Sequence, residues 1–228
     1  MSKAVVVIQA RIGSTRLPGK VLLDVCRKPM LQHVVERAKA IKRVQQVCLA
    51  VPHADFFTFA PLAEEWGIKA YAGPGNDVLA RYAKVAELTG ADVIVRVTGD
   101  CVLIAPEVCD RVLRPVLEGR YGFSTNDTEL SGYPDGLDCE VFTRGILEQA
   151  DQECARADWR EHVCPWMEAN TMTNLILDTP KGQKWPKLSV DTQDDLDSVR
   201  RIMARIPAGD YSWKATQEAI RAELSEKS

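Results

Sequence analysis

The sequence predicts an α/β protein whose mainly parallel, mixed sheet is sandwiched by helices. Three observations predict it. Short apolar runs rich in Val and Ile recur at residues 5–8, 46–51 and 93–97, as strands buried on both faces require. Segments of helical apolar spacing separate these runs. The strand–helix alternation persists to about residue 121 and loses regularity beyond it.

The elements follow in order. Val5, Val6, Val7 and Ile8 read as the first strand, which opens at once into a polar loop. Leu31, Val34, Val35 and Ala38 mark a helix over 30–40. Residues 46–51 read as the second strand, 56–66 as a helix and 68–71 as a short strand. Gly73-Pro74-Gly75-Asn76 is a turn, and Asp77 stands at an N-cap position before a helix running to about 88. Residues 93–97 form the next strand, which ends at Thr98-Gly99-Asp100. Pro106 suits the first turn of a further helix. Later, 123–126 and 139–142 read as strands around a turn-rich 129–136 segment, and 159–169 as a helix. Residues 174–177 and 188–190 read as strands around a Pro/Gly/Lys loop, and two helices finish the chain. No internal repeat or low-complexity tract interrupts it. The expected organisation is one domain over 1–228, with 121–170 as an excursion from it.

Composition narrows the function classes. An apolar share of 46% supports an ordinary core, and 27% charged residues argue against disorder. The net charge of −3 gives no general basic field for nucleic acid. The start Met-Ser-Lys leads straight into a strand without a secretory pattern, and no apolar run approaches the ~20 residues that span a bilayer. Seven cysteines, an odd count without C-x-x-C spacing, read as reduced thiols used as small hydrophobes. The expected location is the cytoplasm. The three histidines show no pairing for a metal site.

The loop after the first strand carries the chemistry. Arg11, Gly13, Ser14, Thr15, Arg16, Gly19 and Lys20 combine two glycines, two hydroxyls and three cations. Small residues let backbone N–H groups approach a ligand while the cations offset its charge, so a polyphosphate is the natural partner. The bland alternative is a basic surface loop. Five residues separate Gly13 from Gly19 and Val21 follows Lys20, so the Walker A spacing fails. The G-x-G-x-x-G fingerprint fails too.

Other positions have two readings each. Asp100 at a strand end suits a Mg²⁺ ligand or a helix cap. Asp191 follows the 188–190 strand and has the same two readings, with Thr192 the rival cap and Asp195 a capping-box acid. Asp77 and Arg81 have i,i+4 spacing and read as an ordinary ion pair. Asp138 and Glu140 share one strand face, which suits polyol hydroxyls. Arg160, Glu161 and His162 fall on a helix, where an Arg suits a substrate carboxylate or phosphonate and a solvated face is the plain alternative.

Gln9-Ala10-Arg11-Ile12-Gly13-Ser14-Thr15-Arg16-Leu17-Pro18-Gly19-Lys20-Val21-Leu22 resembles the opening motif of the spore-coat polysaccharide biosynthesis (SpsF-like) cytidylyltransferases. That family is similar to the synthetases of CMP-sialate and CMP-3-deoxy-octulosonate. The resemblance continues at Arg96–Cys101, Asp135–Asp138, Arg160–Val163 and Leu188–Thr192, in order and over nearly the full length.

The resemblance implies a nucleotidyltransferase fold of glycosyltransferase-A type, often dimeric, with the later segment reaching a partner subunit. It implies CMP transfer from CTP to an acidic sugar or related small acceptor, with Mg²⁺ and release of pyrophosphate. Arg11, Lys20 and Asp100 become the expected catalytic residues. Ala10, Arg11, Gly13, Ser14, Thr15, Lys20, Arg81 and Thr98 become nucleotide-binding, and Asp138, Glu140, Arg160 and His162 acceptor-binding. The comparison tips Asp100 and Asp191 to metal. Where relatives read Gly-Asp-Cys-Pro-Leu-Ile-Asp-Pro, this chain has Val102 and Ala105, a departure that bears on loop shape or acceptor choice. A phosphate- or phosphonate-bearing acceptor, a glycosyltransferase, and a nucleotide-binding module without turnover are the alternatives. No nucleic acid or membrane partner is expected.

Overall fold

The computed structural model describes residues 2–127, 129–177 and 185–226. Ala4–Gln9 (β1) leads through the loop and a 3₁₀ turn at Lys20–Leu22 to a small ribbon of Asp24–Val25 (β2) and Lys28–Pro29 (β3). Met30–Lys39 (α1), Gln46–Pro52 (β4), Phe56–Glu65 (α2), Lys69–Gly73 (β5), Val78–Thr89 (α3), Val93–Thr98 (β6) and Pro106–Leu117 (α4) then alternate as expected. Phe123–Thr125 (β7), Glu140–Thr143 (β8), Arg144–Glu153 (α5), Ala157–His162 (α6), Pro165–Asn170 (α7) and Thr173–Leu175 (β9) follow. Gln193–Met203 (α8) and Trp213–Ser225 (α9) end the described chain.

Seven strands form one sheet in the order β5-β4-β1-β6-β8-β7-β9. β1 pairs parallel with β4 and β6, and β4 with β5. β8 runs antiparallel to both β6 and β7, while β9 pairs parallel with β7. The expected mixed, mainly parallel sheet is thus present, with β8 its reversed strand. Alternate residues of β1 serve two cores. Val6 and Ile8 pack with Leu31 and Val34 of α1 and with Val108 and Val112 of α4. Val5 and Val7 pack with Leu79 and Tyr82 of α3 and with Phe142 of β8. Both faces being covered explains the unbroken apolar run.

Local chemistry sets several boundaries. The Asp77 carboxylate accepts from Ala80 N at 3.0 Å and caps α3. Thr192 and Asp195 form a reciprocal capping box on α8, so Thr192 is its cap. Three details differ from expectation. The helix expected over 159–169 is two short helices, broken where Val163 takes φ +71° and Pro165 starts α7. α5 was not expected. Residues 188–190 form no strand and lie outside the sheet. Leu188 N and Ser189 N both donate to Asp135 O, and Val190 N donates to Asp100 O. Part of the Pro/Gly/Lys loop, 178–184, lies outside the described residues.

Candidate active site

The parallel strands β1, β4 and β6 share their carboxyl end, where ligands of such sheets bind. A cleft of about 540 Å³ opens there. The loop after β1 forms one wall. Ile12 N donates to Asp55 Oδ2 at 2.9 Å, and Gly19 N to Ile12 O at 3.1 Å, so the loop is folded on itself and tied to the end of β4. The loop after β6 brings Asp100. Buried Arg37 of α1 braces that loop by donating to Ile104 O at 3.1 Å. Val102 and Ala105 are fully buried there and do not line the cleft, so they act on packing and not by contact with a ligand.

The Asp135-Gly136 turn brings Asp191. Gly136 has φ +102°, and a Cβ on it would stand 2.2 Å from Ser189 N. Only glycine lets this turn lie against residues 188–189, which precede Asp191. At the opposite side, a Cβ on Gly73 would stand 2.3 Å from Arg81 Cγ. Gly73 therefore leaves the space through which the Arg81 side chain reaches the cleft.

Ala10, Arg11, Gly13, Ser14, Thr15, Lys20, Arg81, Thr98, Asp100, Asp138, His162 and Asp191 all line this one cleft. Lys20 Nζ lies between the acids: 2.6 Å from Asp100 Oδ2, 2.9 Å from Asp191 Oδ1 and 2.7 Å from Val190 O. Burial works to lower the Lys20 pKa, but Asp100 and Asp191 outweigh it and hold it above the ordinary lysine value. Asp191 also receives Arg16 at 2.9 Å on Oδ1 and Lys187 at 2.7 Å on Oδ2. Burial opposes its ionisation, yet Lys187 and Lys20 draw its pKa down to about 2. Arg16 thus anchors Asp191 to the cation-rich loop.

The Arg81 side chain is buried, and its Nε has no hydrogen-bond partner. Burial lowers its pKa, and Arg11 adds to the effect. A buried guanidinium left short of partners at a cleft wall is costly unless a ligand completes it. The Asp77–Arg81 ion pair expected from spacing is replaced by another. Asp77 Oδ2 receives Arg160 Nε at 2.8 Å.

Arg160 and Glu140, expected at the acceptor site, do not line the cleft. Arg160 also bonds the Asp151 carboxylate, Asp151 O at 2.8 Å and Cys154 O at 3.1 Å. Its fork is spent on joining α6 to α5 and α3. Glu140 is buried against Arg96 Nη1, beneath the cleft. Glu161, which stood with Arg160 and His162 on the expected helix, lines the cleft, as do Arg96, Asp135 and Gln9, to which sequence reasoning assigned no role. A lone Arg inside the apolar strand β6 was the available signal. Arg96 Nε donates to Gln9 Oε1 at 3.2 Å. Asp138 accepts from Gly136 N at 2.9 Å, and burial, with Asp127 adding, pushes its pKa up to about 8. Cys101, beside Asp100, is buried, and burial with the Asp100 charge pushes its thiol pKa up, which disfavours the thiolate.

The oxygens around Lys20 Nζ test the fit of a divalent cation. They are two carboxylates and a backbone carbonyl, hard donors already converging on a positive charge. Among the described residues no group of three metal-ligating side chains occurs. Mg²⁺ needs no such group, since one or two carboxylates suffice when phosphate oxygens supply the rest. The residues fit.

A cation-rich loop and two carboxylates converging at the carboxyl end of an α/β sheet suit the nucleotidyltransferase class. The model of the cytidylyltransferase family matches residues 5–200. The chain belongs to that family, whose members are CTP-dependent nucleotidyltransferases. It is 28% identical over 230 residues to spore coat polysaccharide biosynthesis protein SpsF of Bacillus subtilis, covering 96% of this chain and 93% of that protein. It is 41% identical over 118 residues to 3-deoxy-manno-octulosonate cytidylyltransferase of Chloroherpeton thalassium, covering 51% of this chain and 47% of that one. The structure of a cytidylyltransferase from Leptospira borgpetersenii superposes with a TM-score of 0.92 at 30% identity, covering 99% of this chain and 96% of that chain. No helix among the described residues is long and apolar enough to cross a membrane.

Proposed function

We propose that this enzyme transfers CMP from CTP to an acidic sugar or related small acceptor and releases pyrophosphate, with Mg²⁺ as its cofactor. The observation that carries the reading is the placement of Lys20. It joins the cation-rich loop to Asp100 and Asp191 in a single cleft. The acceptor hydroxyl oxygen attacks the α-phosphorus as its proton passes to water, the bond to the bridging oxygen breaks, and pyrophosphate leaves in line. The chain's task is to hold the triphosphate and offset the charge that develops on it.

Arg11 and Lys20 hold phosphate oxygens, with Ala10, Gly13, Ser14, Thr15 and Thr98 adding backbone and hydroxyl donors. Arg81 completes its unfilled Nε on the nucleotide. Asp100 and Asp191 hold Mg²⁺, which supplies charge neutralisation at the reacting phosphate when bound. Asp138 and His162 face the acceptor. Arg96, which lines the cleft, is the cation nearest the acceptor side. The 121–170 segment supplies this acceptor side and the dimer contact, and the enzyme works as a homodimer in the cytoplasm.

The experiment is pyrophosphate release with Mg²⁺, pairing each of the four NTPs with acidic sugars and with phosphate- and phosphonate-bearing acceptors. CTP-selective release with an acidic sugar supports the reading. Release only with a phosphorylated or phosphonate acceptor replaces the acceptor class. Sugar transfer from a finished nucleotide sugar without pyrophosphate would make it a glycosyltransferase, and CTP binding without release from any pair would make it a binding module.

A further inference from the structure

The contacts of Lys20 bear on the order in which ligands enter. Its ammonium has three N–H donors, and three oxygens receive them: Asp100 Oδ2, Asp191 Oδ1 and Val190 O. These include both carboxylates assigned to the metal. An ammonium and a divalent cation cannot share the same carboxylate oxygens at such distances without strong repulsion. We infer that Lys20 closes the metal site of the free protein, and that the nucleotide triphosphate opens it by drawing the ammonium onto its own oxygens. The metal then enters with the nucleotide or after it. The inference rests on the proposed cytidylyltransfer reading.

Three features make the exchange workable. Lys20 begins the 3₁₀ turn that ends the phosphate loop, so its four-carbon stem can swing from acids to phosphates without moving the sheet. Asp191 does not depend on Lys20 for its position. Arg16 and Lys187 grip its two oxygens at 2.9 and 2.7 Å, and its own N–H is held by Asp195 Oδ2 at 3.0 Å. Asp100 is fixed through its backbone, whose carbonyl receives Val190 N. The acids therefore stay in place when the ammonium leaves. Among the described residues Asp100 has its ion pair with Lys20, so it is the acid that passes from the ammonium to the metal.

The test uses Mn²⁺ as the probe, followed by electron paramagnetic resonance of the free ion, so that no turnover is needed. Without nucleotide, the unaltered protein and Lys20→Arg should bind Mn²⁺ at least about tenfold more weakly than Lys20→Met. Equal Mn²⁺ affinity of the unaltered protein and Lys20→Met would overturn the inference. A second readout needs no variant at the decisive step. The lysine ammonium NMR signal that disappears in Lys20→Arg should shift when α,β-methylene CTP is added without metal. An unmoved signal with the nucleotide analogue bound overturns the inference while leaving the cytidylyltransfer reading intact. Calorimetry that finds no binding of the analogue overturns that reading, and the inference with it.

Discussion

The Arg160 guanidinium meets the Asp77 carboxylate at 2.8 Å, fastening α6 to the capped end of α3. The same guanidinium holds the Asp151 side chain and the last carbonyls of α5. Arg160 is therefore a brace for the segment that carries Glu161 and His162 into the cleft. Arg160→Met should lower stability by about 1–3 kcal/mol, because it strands two half-buried carboxylates. Arg160→Lys should not restore it, lacking the planar fork. Urea denaturation checks this, and an unchanged midpoint for Arg160→Met would remove the brace.

Arg81 behaves oppositely. Its Nε is buried without a hydrogen-bond partner, a cost that nucleotide binding as proposed would relieve. Arg81→Met should leave thermal stability equal or higher while weakening CTP binding by about tenfold or more. Paired melting and calorimetry separate the two effects. Loss of stability without loss of affinity would make Arg81 a core residue.

Gly136→Ala should damage the metal side of the cleft from a distance. The added Cβ meets backbone at Ser189 and Leu188, and the φ of +102° is itself strained for alanine. A loss of at least about 2 kcal/mol is expected, together with weaker Mn²⁺ binding in the presence of CTP, since Asp191 follows this segment. Normal metal binding in a folded Gly136→Ala would show that Asp191 is positioned independently of the turn.

Asp100→Asn should keep the fold and cost at least about a hundredfold in kcat. Circular dichroism and the pyrophosphate assay measure the two halves of that statement. Activity within a few-fold of normal would refute the metal role of Asp100.

Asp138 imposes a pH dependence. Its folded pKa is about 8, above the ordinary 3.8. Between those values the folded protein retains a proton that the unfolded chain has lost. Stability contributed by this group is present below the unfolded pKa and declines as pH rises toward about 8. Asp138→Asn removes that decline, so its stability relative to the unaltered protein should grow from pH 5 to pH 8. Denaturant midpoints at the two pH values decide it; a constant difference would mean an ordinary carboxyl.

The strand–helix alternation from β1 to α4 was legible because strands covered on both faces write unbroken apolar runs. The convergence of the loop and Asp100 was legible for a related reason, since both follow parallel strands and must share one sheet edge. α5 was missed because only Leu147 and Ala150 of its ten residues are buried, too thin a stripe to read. Residues 188–190 look like a strand, but their donors go to Asp135 and Asp100 carbonyls and not to a sheet neighbour. Partner choice was least legible. Helical spacing offered Arg81 to Asp77, whereas tertiary packing delivered Arg160, which no local pattern encodes. The seat of Lys20 between two acids is likewise a product of three distant segments.

The reversed strand β8 makes the sheet a composite. Four parallel strands to one side carry the phosphate loop and Asp100, and β8 meets them through a ladder of four residue pairs with β6. Asp138 and His162 reach the same cleft from beyond that seam. The seam does not partition the cleft: Gly136 lies against residues 188–189, which precede Asp191, and Arg11 meets Glu161 at 3.4 Å. A change at the antiparallel margin is therefore felt across the sheet, at the wall of the cleft that carries Asp191.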